Sequence, residues 1–146
     1  MHRPAAALVA LFAAAILPPA LAAETARDRI AAAEDIPVEE WLALASGRTL
    51  TYRIDGEFWA MERYARGSSE VMLQFGDGSC LAGTWDYEAP FYCFHWDGEG
   101  TSCFRHARHD GDILIIETLG GEDTGAVQTM TGVSDTPLAC GPAVTS

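Results

Sequence analysis

The chain has 146 residues, 49% of them hydrophobic, and its 21 acidic side chains outnumber nine arginines to give a net charge of −12; there is no lysine. Such a charge argues against nucleic acid and anionic lipid surfaces as partners, because both attract basic side chains. A cationic protein partner, or simple solubility, fits this charge better.

Residues 1–22 predict a secretory signal peptide, in which Arg3 precedes an apolar run over residues 5–17 and small residues precede Glu24. The run is shorter than the roughly 20 apolar residues that a transmembrane helix needs, and no later stretch approaches that length, so we expect no membrane span. Cleavage after Ala22 or Ala23 would remove one arginine and leave about 124 residues with a charge of −13. We therefore expect a periplasmic or secreted protein with one domain.

After cleavage, residues 23–36 are predicted to be a lead-in segment, either a frayed helix or a flexible stretch. A short helix should follow, since Pro37 suits a first helical turn and Glu39 and Glu40 favour the positive end of a helix. Gly47 can take the left-handed conformation that ends it. The apolar side of this helix should lie on the core.

From Arg48 onward the hydrophobic period is two, and Asp-Gly, a strong hairpin signal, recurs at 55, 77, 97 and 110. Strands joined in sequence by tight turns form an antiparallel meander, and closing the sheet removes its exposed edges. Residues 37–133 therefore predict a mainly β, up-and-down barrel of about eight strands, closed or partly closed, with the helix over one end. A sandwich is the alternative, and residues 134–146 should form an extended C-terminal arm. The predicted strands are 48–54, 57–65, 70–75, 79–87, 91–96, 101–107, 112–118 and 124–132.

The alternation also assigns an inward face that is rich in aromatic residues. An eight-stranded barrel is wide enough either to be filled by side chains or to hold one small ligand, and both interpretations stay open. The predicted inward set is Leu50, Tyr52, Ile54, Val71, Leu73, Phe75, Leu81, Trp85, Tyr87, Tyr92, Phe94, Trp96 and Phe104. The residues predicted to contact a ligand are Tyr52, Trp85, Tyr87, Tyr92, Phe94 and Trp96.

Four cysteines in an exported chain favour disulfides over thiols or metal ligands. A bend centred on Gly98 would place Cys93 opposite Cys103, within bonding reach across two strands. By elimination Cys80 pairs with Cys140, which would clamp the arm to the outer surface. Other pairings stay open, because sequence alone does not choose among them.

No motif indicates catalysis or a cofactor. A redox dithiol would need a close Cys-X-X-Cys, and a serine hydrolase of the common type a Gly-x-Ser-x-Gly turn, and neither occurs. Glu57 and Glu62 are interpreted as solvated charges.

Metal binding is likewise not expected. His106, His109 and Asp110 form a weak metal-like pattern, but polar surface residues at a strand end explain it better. The acidic bends at 97–99, 110–112 and 122–123 lack the spaced ligands of a calcium loop. We expect no catalytic residue, metal or cofactor.

Several short motifs in the chain occur together in a known family: GRTLTYRIDG at 47–56, C-x-x-G-x-W at 80–85, CFHW at 93–96 and CF at 103–104. In these the chain resembles small exported alphaproteobacterial proteins of a family of unknown function. The likeness covers roughly residues 37–105. It implies a periplasmic location and a compact β fold, and it assigns no activity or site residues.

The leading hypothesis is a monomeric, non-enzymatic binding or interaction domain for a small apolar ligand or an envelope component. An alternative is an acidic inhibitor of a cationic cell-wall hydrolase, which the net charge motivates. A lesser alternative is a hydrolase whose site is assembled from dispersed His and Asp residues.

Overall fold

A computed structural model describes residues 23–140; the predicted signal peptide and the last six residues of the predicted arm lie outside that range. The helices are α1 (Ala26–Ala32) and α2 (Val38–Ala45), and a short strand, β1 (Glu34–Asp35), lies between them. The remaining strands are β2 (Thr49–Ile54), β3 (Glu57–Tyr64), β4 (Glu70–Phe75), β5 (Cys80–Glu88), β6 (Phe91–Trp96), β7 (Gly100–His109), β8 (Asp112–Leu119) and β9 (Glu122–Ser134).

Strands β2 to β9 form a closed antiparallel barrel. Each strand pairs with its neighbours in sequence, and pairing of β2 with β9 closes the sheet. β1 adds a short ninth strand by pairing with the end of β7. The predicted mainly β barrel is confirmed, and each predicted strand matches an observed one to within two residues at either end.

Two of the Asp-Gly hairpins have the turn geometry that this dipeptide favours. Asp55 and Gly56 both have positive φ, as do Asp110 and Gly111. Positive φ at both central residues is the geometry of a type I′ turn, whose twist matches that of the flanking strands.

Helix α2 covers one end of the barrel, as predicted. Trp41 and Ala45 of this helix are fully buried. The Trp41 ring lies 6.0 Å, centroid to centroid, from the rings of both Tyr64 and Tyr92 inside the barrel. The turns between β3 and β4, β5 and β6, and β7 and β8 lie at this closed end, whereas the hairpins that join β2 to β3, β4 to β5, β6 to β7 and β8 to β9 lie at the other.

The predicted lead-in segment folds as part of the domain. Thr25 and Asp28 form a capping box at the start of α1. Ile30 of this helix packs on Ala107, Leu114 and Ile116, which form a small apolar cluster on the outer face of the barrel. Because α1 covers the outer face of β8, this strand has apolar residues on both of its faces.

Both predicted disulfides are present. Cys93 and Cys103 are direct partners in the β6–β7 register and are bonded, and Cys80 is bonded to Cys140. The arm that follows β9 crosses the outside of the barrel, where the Ala139 amide donates to the Gln74 side chain at 3.2 Å. No helix within residues 23–140 is long and apolar enough to cross a membrane.

Candidate functional site

A cavity of about 200 Å³ lies inside the barrel. A second recess, the vestibule, is bordered by Ile54, Asp55, Glu117, residues 125–127 and Ala26 of α1. It shares four wall residues with the cavity and includes part of the β2–β3 hairpin, so it lies toward the end of the barrel opposite α2. The cavity is lined by Tyr52, Trp59, Glu62, Leu73, Phe75, Leu81, Phe94, Trp96, Ser102, Phe104, His106, Ile115 and Gln128.

The walls of the cavity are mainly aromatic. The rings of Phe94 and Trp96 stack 5.5 Å apart, and Phe104 meets Phe94 edge-on at 5.9 Å. The Trp96 indole N–H donates to the Ser102 hydroxyl at 2.9 Å, which fixes the orientation of the indole. Trp59 occupies a bulge in β3, where the pairing with β2 shifts register. These rings give the cavity rigid apolar walls.

Glu62 lines this cavity with a carboxyl group that is almost fully removed from water, since the residue is 5% exposed. The Tyr52 hydroxyl donates to Glu62 Oε1 at 2.9 Å. Burial raises the pKa of Glu62 to about 7, although the hydrogen bond from Tyr52 opposes the rise. The prediction that Glu62 is a solvated charge is wrong, because alternation along β3 places it on the same inward face as the buried Ala60 and Tyr64.

His106 is the second buried ionisable group of the cavity. It is 1% exposed, and its ring stacks on Tyr92 with centroids 3.9 Å apart and planes 2° apart. Its Nδ1 atom has no hydrogen-bond partner within residues 23–140. Burial lowers the pKa of His106 to about 3, so the imidazole is neutral near pH 7. The interpretation of His106 as a surface residue is therefore wrong.

No protein-family model, curated protein or solved structure matches this chain. The residues of the cavity determine what the site can bind. Aromatic walls can bury an apolar body, while the carboxyl of Glu62, the hydroxyl of Tyr52 and the imidazole of His106 can bind a polar group of the same ligand.

The six aromatic residues predicted to bind a ligand divide by depth. Tyr52, Phe94 and Trp96 line the cavity. The other three lie nearer α2: the Tyr87 and Trp85 rings contact that of Tyr92, with centroids 4.6 and 6.3 Å away, and Tyr92 in turn packs on Trp41 of the helix. The Tyr92 hydroxyl also donates to the carbonyl oxygen of Ile36 at 2.7 Å. These three residues thus form the packed layer beneath α2 and do not line the cavity.

The other histidine of the predicted metal-like pattern lies apart from His106. Residues three apart in a strand point to opposite faces, so His106 and His109 do not meet. His109 Nε2 instead lies 2.9 Å from a carboxylate oxygen of Glu24 and 3.3 Å from one of Asp110. These three residues are close enough to share a metal ion, but the packing of the chain before α1 against the end of β7 explains their proximity.

A third polar arrangement lies on the outer surface. His95 is bracketed by Asp86 at Nε2 and by the Thr101 hydroxyl, 2.9 Å from Nδ1. The order of groups is that of a hydrolase triad, but the side chains of Asp86 and His95 are 63% and 46% exposed. Such a hydrated site lacks the water-excluded surroundings that stabilise charge in a transition state.

Proposed function

We propose that this protein is a periplasmic or secreted binding domain that holds one small, largely apolar ligand inside its barrel. The observation that carries the proposal is the cavity of about 200 Å³ with aromatic walls. Space inside a core costs stability, because the side chains around it lose contacts that a filled interior would give them. A cavity of roughly 150 Å³ is enough to bind benzene, so a ligand with about one ring's bulk suits this one.

The architecture supports entry from one side only. Helix α2 and the buried Trp41 cover one end of the barrel. The vestibule lies toward the other end, opposite α2, and shares Trp59, Phe104 and Ile115 with the cavity. A ligand that enters there would pass Trp59, which is partly exposed, before reaching the stacked Phe94 and Trp96.

The compartment and the monomeric state belong to the same proposal. Two disulfides, with no free cysteine among the described residues, are typical of an oxidising compartment. The resemblance to exported alphaproteobacterial proteins points the same way. A monomer is expected because closure of the barrel pairs β2 with β9 and leaves neither as a free edge.

The test is a titration with toluene, followed by tryptophan fluorescence and by calorimetry. The wild-type protein should bind it saturably, and Leu73→Phe should abolish binding because the larger ring projects into the cavity. Met72→Phe is the matched control, since Met72 directly precedes Leu73 in β4 and borders a groove on the outside. Equal binding by both variants would contradict the proposal, as would the failure of toluene and of small polar molecules of similar bulk to bind.

The acidic inhibitor is a second candidate, supported by where the carboxylates lie. Asp55, Asp77, Asp97 and Glu99 are all exposed in hairpins at the same end of the barrel. Together they would attract a basic protein. Binding to a basic lysozyme that weakens strongly from low to high salt would support this candidate, whereas no binding at low salt would exclude that enzyme as its target.

A further inference from the structure

We infer that the ligand of the cavity is a small organic cation, an ammonium group on a short apolar body, with its positive charge placed against Glu62. This inference rests on the proposed binding function and specifies the chemical class of the ligand.

Within residues 23–140, no positively charged side chain lines the cavity beside Glu62. Glu62 lines the cavity, whereas none of the cavity-lining residues is an arginine and the chain has no lysine. Arginines of the described chain bind carboxylates outside the barrel, as Arg105 does with Asp123 and Arg108 with Glu40. A buried carboxylate without a positive partner is costly, so a cation in the cavity would gain from a charge that residues 23–140 leave unpaired.

The aromatic walls favour the same kind of ligand. A cation within about 6 Å of an aromatic ring is attracted by the ring's face, most strongly by tryptophan. Trp59 and Trp96 both line the cavity, together with phenylalanine rings. An anion would be repelled by Glu62, and a neutral ligand would gain apolar contacts and hydrogen bonds but no pairing of charges. An organic cation gains from both the carboxylate and the rings.

The approach to the cavity is also acidic. Asp55 and Glu117 border the vestibule, and Asp77, Asp97 and Glu99 lie in neighbouring hairpins at the same end. Carboxylates around a recess concentrate cations near its mouth and raise their rate of entry.

His106 supplies an independent sign of a polar ligand. It lines the cavity, is 1% exposed, and has an Nδ1 atom without a hydrogen-bond partner in the described chain. Buried polar atoms are usually paired. A hydroxyl or N–H group on the ligand would give this imidazole the partner that residues 23–140 do not provide.

Binding of a cation should depend on pH through Glu62. Its described ionisable neighbours are Tyr52 of β2, Tyr64 of β3 and His106 of β7. Burial raises the pKa of both tyrosines well above 10, and His106 is neutral, so these three do not change charge between pH 6 and pH 8. Glu62, with a pKa of about 7, does change charge in that range. Because only the ionised carboxylate pairs with a cation, affinity should fall about tenfold from pH 8 to pH 6.

The experiment compares choline with its uncharged isostere, 3,3-dimethylbutan-1-ol, by calorimetry on the unreduced protein. The two have the same shape, and the charge of choline does not depend on pH. We expect choline to bind at least about tenfold more tightly at pH 8. Glu62→Gln should abolish this preference, and Glu70→Gln, an exposed glutamate on β4, should keep it.

The possible outcomes separate this inference from the proposed function. If the alcohol binds as tightly as choline, or if only toluene binds, the inference is overturned and the binding function stands. If choline, the alcohol and toluene all fail to bind, both are overturned. The choline preference and its loss at pH 6 are measured on the wild-type protein, so they decide the question even if Glu62→Gln does not fold.

Discussion

Replacing Glu62 with glutamine should change how the stability of the protein depends on pH. Glutamine keeps the size of the side chain and a carbonyl oxygen that can accept the hydrogen bond from Tyr52. What it removes is an ionisable group that lies almost entirely out of water. At pH 4, where the glutamate of the folded protein is protonated, the variant and the wild type should therefore have similar stability.

The size of the effect follows from the two pKa values of Glu62. The carboxyl ionises at its ordinary pKa of 4.5 in the unfolded chain and at about 7 in the folded one. Between these values unfolding releases a proton, so raising the pH destabilises the folded state. Relative to high pH, the wild type is more stable by the full effect of the neutral Glu62 below pH 4.5, and it loses this advantage as the pH rises through 7. The change in the free energy of unfolding is about 3 kcal/mol. The free energy of unfolding of Glu62→Gln should therefore rise by about 3 kcal/mol relative to that of the wild type between pH 4 and pH 8.

Urea denaturation at pH 4, 6 and 8, followed by tryptophan fluorescence with the disulfides intact, measures this difference. The slope of the free energy against urea concentration must be the same for both proteins if the comparison is to hold. Glu70→Gln, on an exposed site of β4, is the control and should show no comparable trend. A stability difference between Glu62→Gln and wild type that stays constant from pH 4 to pH 8 would refute the claim that folding desolvates this carboxyl.

Three further predictions test the interior and the cross-links. The free energy of unfolding of His106→Phe should rise by about 3 kcal/mol relative to that of the wild type as the pH falls from 7 to 4. Burial lowers the pKa of His106 to about 3, so unfolding of the wild type takes up a proton below pH 6.5. Urea denaturation that shows no such relative rise would contradict this. Gly83→Ala should lower the free energy of unfolding by roughly 1–3 kcal/mol, because the new Cβ would lie 2.6 Å from a main-chain oxygen of β6. In the control, Gly132→Ala, the new Cβ meets nothing closer than 3.6 Å. Equal melting temperatures for the two variants would count against this packing. Replacing both Cys80 and Cys140 by serine should lower the free energy of unfolding by about 4 kcal/mol, because the bond joins residues 60 apart in the chain. An unchanged urea midpoint would show that the disulfide does not restrict the unfolded chain.

The fold was predictable from sequence because its signals are local and repeated. Asp-Gly turns divide the chain into short alternating segments, and each turn fixes the register of the hairpin around it. The bend at Gly98 thus sufficed to place Cys93 opposite Cys103, as the structure shows. The turn geometry favoured pairing of Cys80 with Cys140 by elimination but left other pairings open, and the structure shows this bond.

The polar side chains of the cavity were missed because their polarity suggested exposure. Glu62 lies two residues from both Ala60 and Tyr64, and His106 lies two residues beyond Phe104, so the alternation alone marks both as inward. Following the phase of each strand, whatever the residue type, would have found them.

The depth of each inward residue could not be predicted in the same way. Tyr92 and Phe94 lie two positions apart on one face of β6, yet Phe94 lines the cavity and Tyr92 lies beneath Trp41. Where α2 ends and the cavity begins depends on how far that helix enters the barrel, which strand periodicity does not encode. The docking of α1 rests largely on Ile30, too weak a pattern to separate from a flexible segment.

The bond between Cys80 and Cys140 also determines how the molecule would respond to being pulled apart. Tension applied at the carboxyl end passes through the sulfur bridge directly into the start of β5, so the intervening polypeptide, which includes β5 to β9, carries little of the load. Only β1 to β4 and the two helices could then be drawn out. In a single-molecule stretching experiment the oxidised protein should therefore lengthen as though its chain stopped at Cys80, and breaking this bridge with a reductant should release the remaining length.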